Sequence, residues 1–316
     1  MNEQEALAKM VPPSQWRPTS FRGGIIQINI THSCDKACSY CTQGSNLSVA
    51  RGYPTRMTVE QFEQACISLE EYFGVVGVFG GNPAIHPDFE EMCAVLRRHI
   101  PQERCGLWCN KPFGKGKAMA KTFNPAYSNL NTHLDIDAYN EFKRDWPESN
   151  PFGQSEDSRH SPVYISMQDL GVSEEKRWEL ISQCDINQHW SAMIGVFRGE
   201  LRGYFCEIAG AMSRLHQNNL DFPDVGVEVT KDWWKLPMEA FKDQVRKCCH
   251  NCGVPLKAYG ALAQGQHVSE QVTKTHLPIY STKSGIAPTL LTEDSLQDLQ
   301  TNTLGRMTDY LGNSHQ

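Results

Sequence analysis

No run of about 18 consecutive apolar residues occurs anywhere in the 316-residue chain, so no membrane-spanning helix is expected. The start, Met1-Asn2-Glu3-Gln4-Glu5, is acidic and has neither the basic opening nor the apolar core of an export signal. Basic residues are too few and too scattered to track a phosphate backbone. Thirty Lys and Arg against 36 Asp and Glu leave a formal charge of −6, which argues against strong nonspecific binding to duplex nucleic acid. The lysines between Lys111 and Lys121 are interrupted by glycines and read as a solvated loop. Internal repeats and low-complexity segments are also absent. Cysteine is the residue the chain does not lack. Twelve of them, without an export signal, indicate metal ligation in a reducing, cytoplasmic compartment rather than disulfides.

Apolar residues make up 40% of the chain, enough for one large domain or two modest ones. Residues 1–20, with Pro12, Pro13 and Pro18, read as an N-terminal arm carrying one short helix. From residue 21 onward strand and helix signals alternate, the pattern of a parallel sheet covered by helices. Strands are expected at 25–30, 75–79, 105–109, 131–136 and 163–167. Helices are expected at 58–73, 87–99, 138–145 and from Ser173 to Ser182, the first capped by Thr58. The stretch 146–160 is polar with prolines and reads as a long loop, from which Arg159 and His160 can reach a substrate. Near the end, 295–311 has the pattern of an amphipathic helix.

Chemistry concentrates after the first expected strand, in Cys34-Asp-Lys-Ala-Cys38-Ser-Tyr-Cys41. Three thiolates on one loop can each hold an iron of a cubane iron–sulfur cluster and leave the fourth iron without a protein ligand, whereas electron-carrying clusters take four cysteines. Taken alone, the triplet is also compatible with zinc. A second apolar run, Val75 to Phe79, leads into Gly80-Gly81-Asn82-Pro83, and His86-Pro87-Asp88-Phe89 then opens a helix. In this order the pieces resemble the radical S-adenosylmethionine (SAM) superfamily, with Tyr40 at its aromatic position before the last cysteine. Gly80-Gly81-Asn82-Pro83 is similar to that family's GGEP motif, with Asn in place of Glu.

The resemblance implies an α/β fold, a partial (β/α)6 TIM-like barrel with a small C-terminal cysteine-rich metal-binding extension. Ligands of such barrels bind at the C-terminal strand ends. It further implies an enzyme whose [4Fe-4S] cluster, on Cys34, Cys38 and Cys41, reductively cleaves SAM to a 5′-deoxyadenosyl radical that abstracts hydrogen from substrate. An electron donor such as flavodoxin or ferredoxin is implied as a partner. Carried over by position, Tyr40, Gly80, Gly81, Asn82, Asn110 and Asp135 are the cofactor-binding candidates. A backbone carbonyl can take over the hydrogen bond to the SAM amino group that the missing Glu would supply. Asn110 is equally readable as a turn former, and Asp135 as a structural hydrogen-bonding group at a strand end.

The C-terminal third adds Cys184, Cys206, Cys248, Cys249 and Cys252. The segment Val196 to Cys206 reads as a hairpin delivering a cysteine, and Cys249-His-Asn-Cys252 is a CxxC. The region resembles a diverged twitch or SPASM extension, whose spacing it does not match. An auxiliary iron–sulfur cluster or a zinc ion on Cys184, Cys206, Cys249 and Cys252, or simple burial, remain open there. Cys248 and His250 can substitute for a neighbour. Cys66, Cys93, Cys105 and Cys109 read as core. Gly114-Lys115-Gly116-Lys117 lacks the spacing of a phosphate loop and reads as a flexible active-site loop. His189-Trp190, Trp233-Trp234, Tyr204 and Phe205 read as packing.

The expected organisation is therefore an arm at 1–20, a radical SAM core at 21–183, an auxiliary metal-binding region at 184–258 and a tail at 259–316. The runs at 185–190 and 205–210 resemble stand-alone proteins of the superfamily in phages and bacteria, which would place a phage-encoded form in the host cytoplasm. That resemblance implies an isomerase acting on an amino-acid-modified thymine in DNA hypermodification, where a single flipped base needs little basic surface. A peptide or a sugar or glycan precursor is the alternative substrate, and a noncatalytic iron–sulfur or zinc protein is the alternative of another class.

Overall fold

The computed structural model describes residues 1–16, 24–36, 38, 41–48, 56–153, 163–184, 186, 191–219, 221–256, 271–280 and 288–295. Tyr40, Arg159, His160, His189, Trp190 and the expected helix beyond residue 295 lie outside them.

The N-terminal arm forms helix α1 (Glu3–Leu7), closed by a reciprocal capping box between Asn2 and Glu5. Strand β1 (Ile25–Thr31) is buried along its whole length. A short helix α2 (Ser45–Ser48) follows the cysteine loop, and α3 (Val59–Ser68) starts at a second capping box, Thr58 with Gln61. Then come β2 (Val75–Gly80), α4 (Phe89–His99) and β3 (Cys105–Leu107). Helix α4 buries Phe89, Met92, Cys93, Val95 and Leu96, the i, i+3, i+4 stripe read from the sequence. Helices α5 (Gly116–Thr122), α6 (Ile136–Asp145) and α7 (Glu174–Ser182) lead to the hairpin β4 (Ser191–Phe197) and β5 (Glu200–Tyr204). Helix α8 (Glu207–Leu215), strand β6 (Val227–Glu228) and helix α9 (Lys242–Cys248) follow. The last described elements are β7 (Gln271–Val272), α10 (Leu277–Tyr280) and β8 (Thr289–Leu290).

Six strands form one sheet in the order β3-β2-β1-β4-β5-β6. β3, β2, β1 and β4 run parallel, β5 pairs antiparallel with β4, and β6 pairs antiparallel with β5. Beyond β3 the ladder continues as single parallel bridges, Trp108 to Asn129 and Asn131 to Phe152. The result is a mixed α/β fold with a parallel-rich sheet, the partial TIM-like architecture expected. Ile26, Ile28 and Ile30 on one face of β1 pack with helix residues such as Phe62 and Ala65. The other face carries Gln27 and Asn29, buried beside a small cluster of Phe79, Met193 and Tyr204.

Two expected strands take another form. At 129–131 the chain makes only those isolated bridges, so no ladder longer than one pair develops. The apolar run at 163–167 is buried but not a strand: the Val163 carbonyl accepts from the Gly253 N–H, and the Ser166 N–H donates to Thr273 Oγ1 at 2.9 Å. Its backbone is satisfied by a later segment instead of a neighbouring strand. Helix α3 also stops at Ser68, and residues 69–71 turn before β2. The hairpin is as expected, turned by Arg198 and Gly199 at φ 48° and 89°, the two positive dihedrals of a type I′ turn. β4 pairs with β1, so one sheet runs across residue 184.

The segment 271–280 is tied down by a buried histidine pair. His276 Nε2–H donates to the Asn251 carbonyl, so its Nδ1 accepts from His216 Nε2–H at 2.9 Å. A proton added to His276 Nδ1 would meet that donor. Burial pushes the His276 imidazole down to about 4. The unfolded chain takes up this proton near pH 6.5 and the folded chain does not, so its contribution is intact above about pH 6.5 and declines as pH falls towards 4. We expect acidification from about pH 7.5 to 5 to cost about 2 kcal/mol through this group. Urea midpoints at both pH values check it, and His276→Gln should show a smaller drop; equal drops in both proteins would sink the assignment.

Candidate active site

The cysteine loop leaves the C-terminal end of β1. Cys34, Cys38 and Cys41 are all partly exposed. The Lys36 N–H points at Cys34 Sγ, 3.5 Å away, the kind of contact that tunes a cluster sulfur. Burial, and then the neighbouring cysteine sulfurs, hold the Cys34 and Cys38 thiols up at about 12. A bound cation would reverse that balance by favouring the thiolates. Among the described residues no three His, Cys, Asp or Glu side chains converge on one metal position.

Beside this loop lies the turn after β2. The Gly81 N–H donates to Thr31 O and the Asn82 N–H to Ser33 O, both at 2.8 Å. A Cβ on Gly80 would stand 2.1 Å from Thr31 O, and one on Gly81 would stand 2.3 Å from Ser33 O. Glycine is required here because β1's backbone passes where a side chain would begin. Asn82 is fully buried and its amide is spent within the protein. Oδ1 accepts from the Ala84 N–H (3.0 Å) and the Cys109 thiol (3.2 Å), and Nδ2 donates to Lys111 O (3.1 Å) and Asp35 Oδ1 (3.2 Å). His86 fastens the turn to Met57 O through Nε2–H at 2.9 Å, while its Nδ1 accepts from the Asp88 N–H. Lys115, in the loop read as flexible, donates to Ala84 O and His86 O at 2.7 Å each.

Asn110 stands at the end of β3, as expected. Its Nδ2 donates to Asp35 Oδ1 at 2.9 Å, and its buried Oδ1 has no hydrogen-bond partner. Such an orphaned acceptor fits a ligand donor. Asp135 caps α6 by accepting the Ala138 N–H at 3.0 Å and pairs with Lys111 (3.1 Å) and Lys36 (3.6 Å). The cap, then Lys111, holds its carboxyl below the usual range. Its arrangement supports a positioning role for the loop lysines. Just before it, His133 and Leu134 take left-handed backbone at φ 49° and 62°, strain of the sort found at functional sites. His133 Nε2 lies 4.0 Å from Cys38 Sγ, and its buried Nδ1 is unpartnered. Burial, then Lys36, lowers the His133 imidazole, so near neutrality the ring adds no positive charge beside the loop.

The four C-terminal cysteines named from the sequence meet in one cavity. Cys184 follows α7, Cys206 caps α8, and Cys249 and Cys252 follow α9. With Cys248, Ile181, Phe205 and Met212 they line about 410 Å³ of space free of protein atoms, its mouth included. Burial drives the Cys206 and Cys249 thiols upward, and the neighbouring cysteines add to it. Donation from the Ala209 backbone opposes the rise at Cys206, as expected for a thiol at a helix N-terminus. Tyr204, Phe205, Trp233 and Trp234 are buried packing residues, and Cys66, Cys93, Cys105 and Cys109 are core. Sequence reasoning missed Asp35, His133 and Arg214. Arg214, on α8, is buried with Nη2 on Gln43 O at 3.1 Å and Nε unpartnered, and burial lowers it to about 9. Asp35 lies inside the cysteine loop at a position the cysteine spacing leaves open, and His133 and Arg214 lie against Cys38 and Gln43, where no local motif marks them.

Residues 28–151, the stretch that holds the cysteine loop, the glycine turn and Asn110, match the family model of the Radical SAM superfamily. Two solved structures are similar in fold. BtrN in complex with AdoMet and 2-DOIA is 14% identical with a TM-score of 0.45, covering 75% of this chain and 94% of that one. BtrN in an open conformation is 13% identical with a TM-score of 0.41, covering 77% and 97%. No curated protein matches. Among the described residues no helix is long and apolar enough to cross a membrane.

The glycine turn yields a direct expectation. Gly81→Ala should push the turn off β1 and cost about 1–3 kcal/mol, read as a lowered urea midpoint together with reduced iron uptake on reconstitution. Unchanged stability and iron content would mean that the close approach does not matter.

Proposed function

We propose that this protein is a radical SAM enzyme with a catalytic [4Fe-4S] cluster on Cys34, Cys38 and Cys41 and an auxiliary iron–sulfur cluster on Cys184, Cys206, Cys249 and Cys252. The observation carrying the first part is the three-cysteine loop hydrogen-bonded, through its flanking backbone and Asp35, to the glycine turn and to Asn110. The second part is supported by four cysteines around one cavity. When bound, the cluster and SAM supply one-electron cleavage of the sulfonium and a carbon radical that takes hydrogen from substrate. The chain's own task is to hold, orient and shield. The Lys36 N–H supports a cluster sulfur, Gly80 and Gly81 let backbone approach the loop, and Asn110 Oδ1 offers an acceptor to SAM. Lys36, Lys111 and Asp135 fix the far wall. The substrate reading we carry forward is isomerisation of an amino-acid-modified thymine, with a peptide or a sugar precursor as the alternative, and flavodoxin or ferredoxin as electron donor.

Anaerobic reconstitution followed by dithionite and SAM should give 5′-deoxyadenosine. Cys38→Ala should reduce this to background, and surviving turnover would refute the assignment of the loop. Changing Cys206 and Cys249 to Ser together should lower iron from about eight to about four per chain. A chain that instead carries zinc, or loses no metal in the variant, refutes the auxiliary cluster. Adding candidate substrates one at a time and comparing chromatographic retention and fragment ions tests the substrate: a modified thymine nucleotide should give a new species of unchanged mass, and conversion of a peptide or sugar instead would overturn that reading.

A further inference from the structure

The glycine motif this chain resembles carries a carboxylate where Asn82 stands. Asn82 cannot replace it as a receptor for a ligand cation, since the residue is fully buried and both ends of its amide are engaged by Ala84, Cys109, Lys111 and Asp35. These partners also fix which end is nitrogen: Nδ2 faces a carbonyl and a carboxylate, and Oδ1 faces an N–H and a thiol. A Glu at 82 would present oxygen to both Lys111 O and Asp35, and nothing would hold either. The amide at 82 and the carboxylate at 35 therefore belong together.

We infer that Asp35, inside the cysteine loop, supplies the negative charge that binds the SAM amino group. The inference rests on the SAM-binding function proposed above. Asp35 follows Cys34 directly, so its carboxylate stands at the edge of the proposed cluster, where the amino and carboxylate groups of SAM would chelate the open iron. Oδ1 is held from two sides by Asn82 Nδ2 (3.2 Å) and Asn110 Nδ2 (2.9 Å). That pair fixes the carboxylate without neutralising it, because both donors are uncharged amides. Oδ2 accepts no hydrogen bond among the described residues, and the side chain is exposed. The orphaned Oδ1 of Asn110, itself 8% exposed, shares a carbon with the Nδ2 that touches Asp35. Two acceptors with spare capacity, one charged, thus stand together on the wall facing the loop, and a metal-bound amino group, made more positive by the iron and keeping two N–H donors, fits them. The lysines nearby, Lys36 and Lys111, are drawn to Asp135 instead. The negative charge has so moved from the strand-end turn to the cluster loop, and Asn82 has become its support.

Asp35→Asn keeps an oxygen for the two amides and removes the charge and the second acceptor. With iron content matched by chemical assay, equilibrium dialysis of the reconstituted proteins should show SAM binding weakened roughly 10- to 100-fold. Binding of 5′-methylthioadenosine, which lacks the amino-acid tail, should change less than about twofold. The electron paramagnetic resonance change that SAM induces in the reduced cluster should weaken in parallel. Asp35→Ser answers the same question should Asp35→Asn load less iron. Unaltered SAM affinity in an iron-matched variant overturns the inference, as does an equal loss of methylthioadenosine, which would mean that Asp35 only braces the loop. Absence of SAM binding by the wild-type protein would instead remove the proposed function itself.

Discussion

The site depends on a backbone-to-backbone approach between the end of β1 and the turn after β2. Two N–H groups of the turn reach the carbonyls of Thr31 and Ser33, and they do so because Gly80 and Gly81 carry no side chain. Parallel strands set this up, since both end at the same edge of the sheet and their loops leave side by side. Once the two backbones are bonded, Cys34 and Asp35 on one side and Asn82 on the other have little freedom left. Asn110 joins from the next strand over. The candidate receptor for SAM is thus made by three adjacent strand ends, none of which could form it alone.

Polar groups around the site are satisfied unevenly, and the unevenness is informative. Asn82 and His86 use their whole hydrogen-bonding capacity inside the protein, Lys115 uses two of its three donors there, and all three act as fasteners. Asn110 Oδ1 and His133 Nδ1 are buried and unpaired. A folded chain tolerates such groups at a cost of order 1–3 kcal/mol each, and they lie on the wall that faces the cysteines. Rigid surroundings with open acceptors are what a binding site for a small, polar, charged ligand requires.

Much of this was readable from the sequence, for physical reasons. The strands Ile25–Thr31 and Val75–Gly80 are short, apolar and bounded by turn residues, and α4 repeats its apolar residues at helical spacing. The cysteine positions declared themselves by spacing, in the loop and in the C-terminal third. What escaped reading depends on distant partners. The run at 163–167 has strand-like composition, yet its hydrogen bonds go to Gly253 and Thr273, which no local pattern announces. Asp35 sits between a cysteine and a lysine and reads as a solvated charge until Asn82 and Asn110 are seen to hold it. Arg214 likewise looks like an ordinary helix-end cation, although it is buried against Gln43 O.

Helix α8 has a property that follows from its length and surroundings. Every residue from Glu207 to Leu215 is buried, its first turn borders the four-cysteine cavity through Cys206, and its last reaches the chain just past Cys41 through Arg214. At about 1.5 Å per residue the two ends are about 12 Å apart. One short, fully encased helix thus carries a cysteine of the cavity at its start and a side-chain anchor of the cysteine-loop segment at its end, so the two groups of cysteines share a single rigid support.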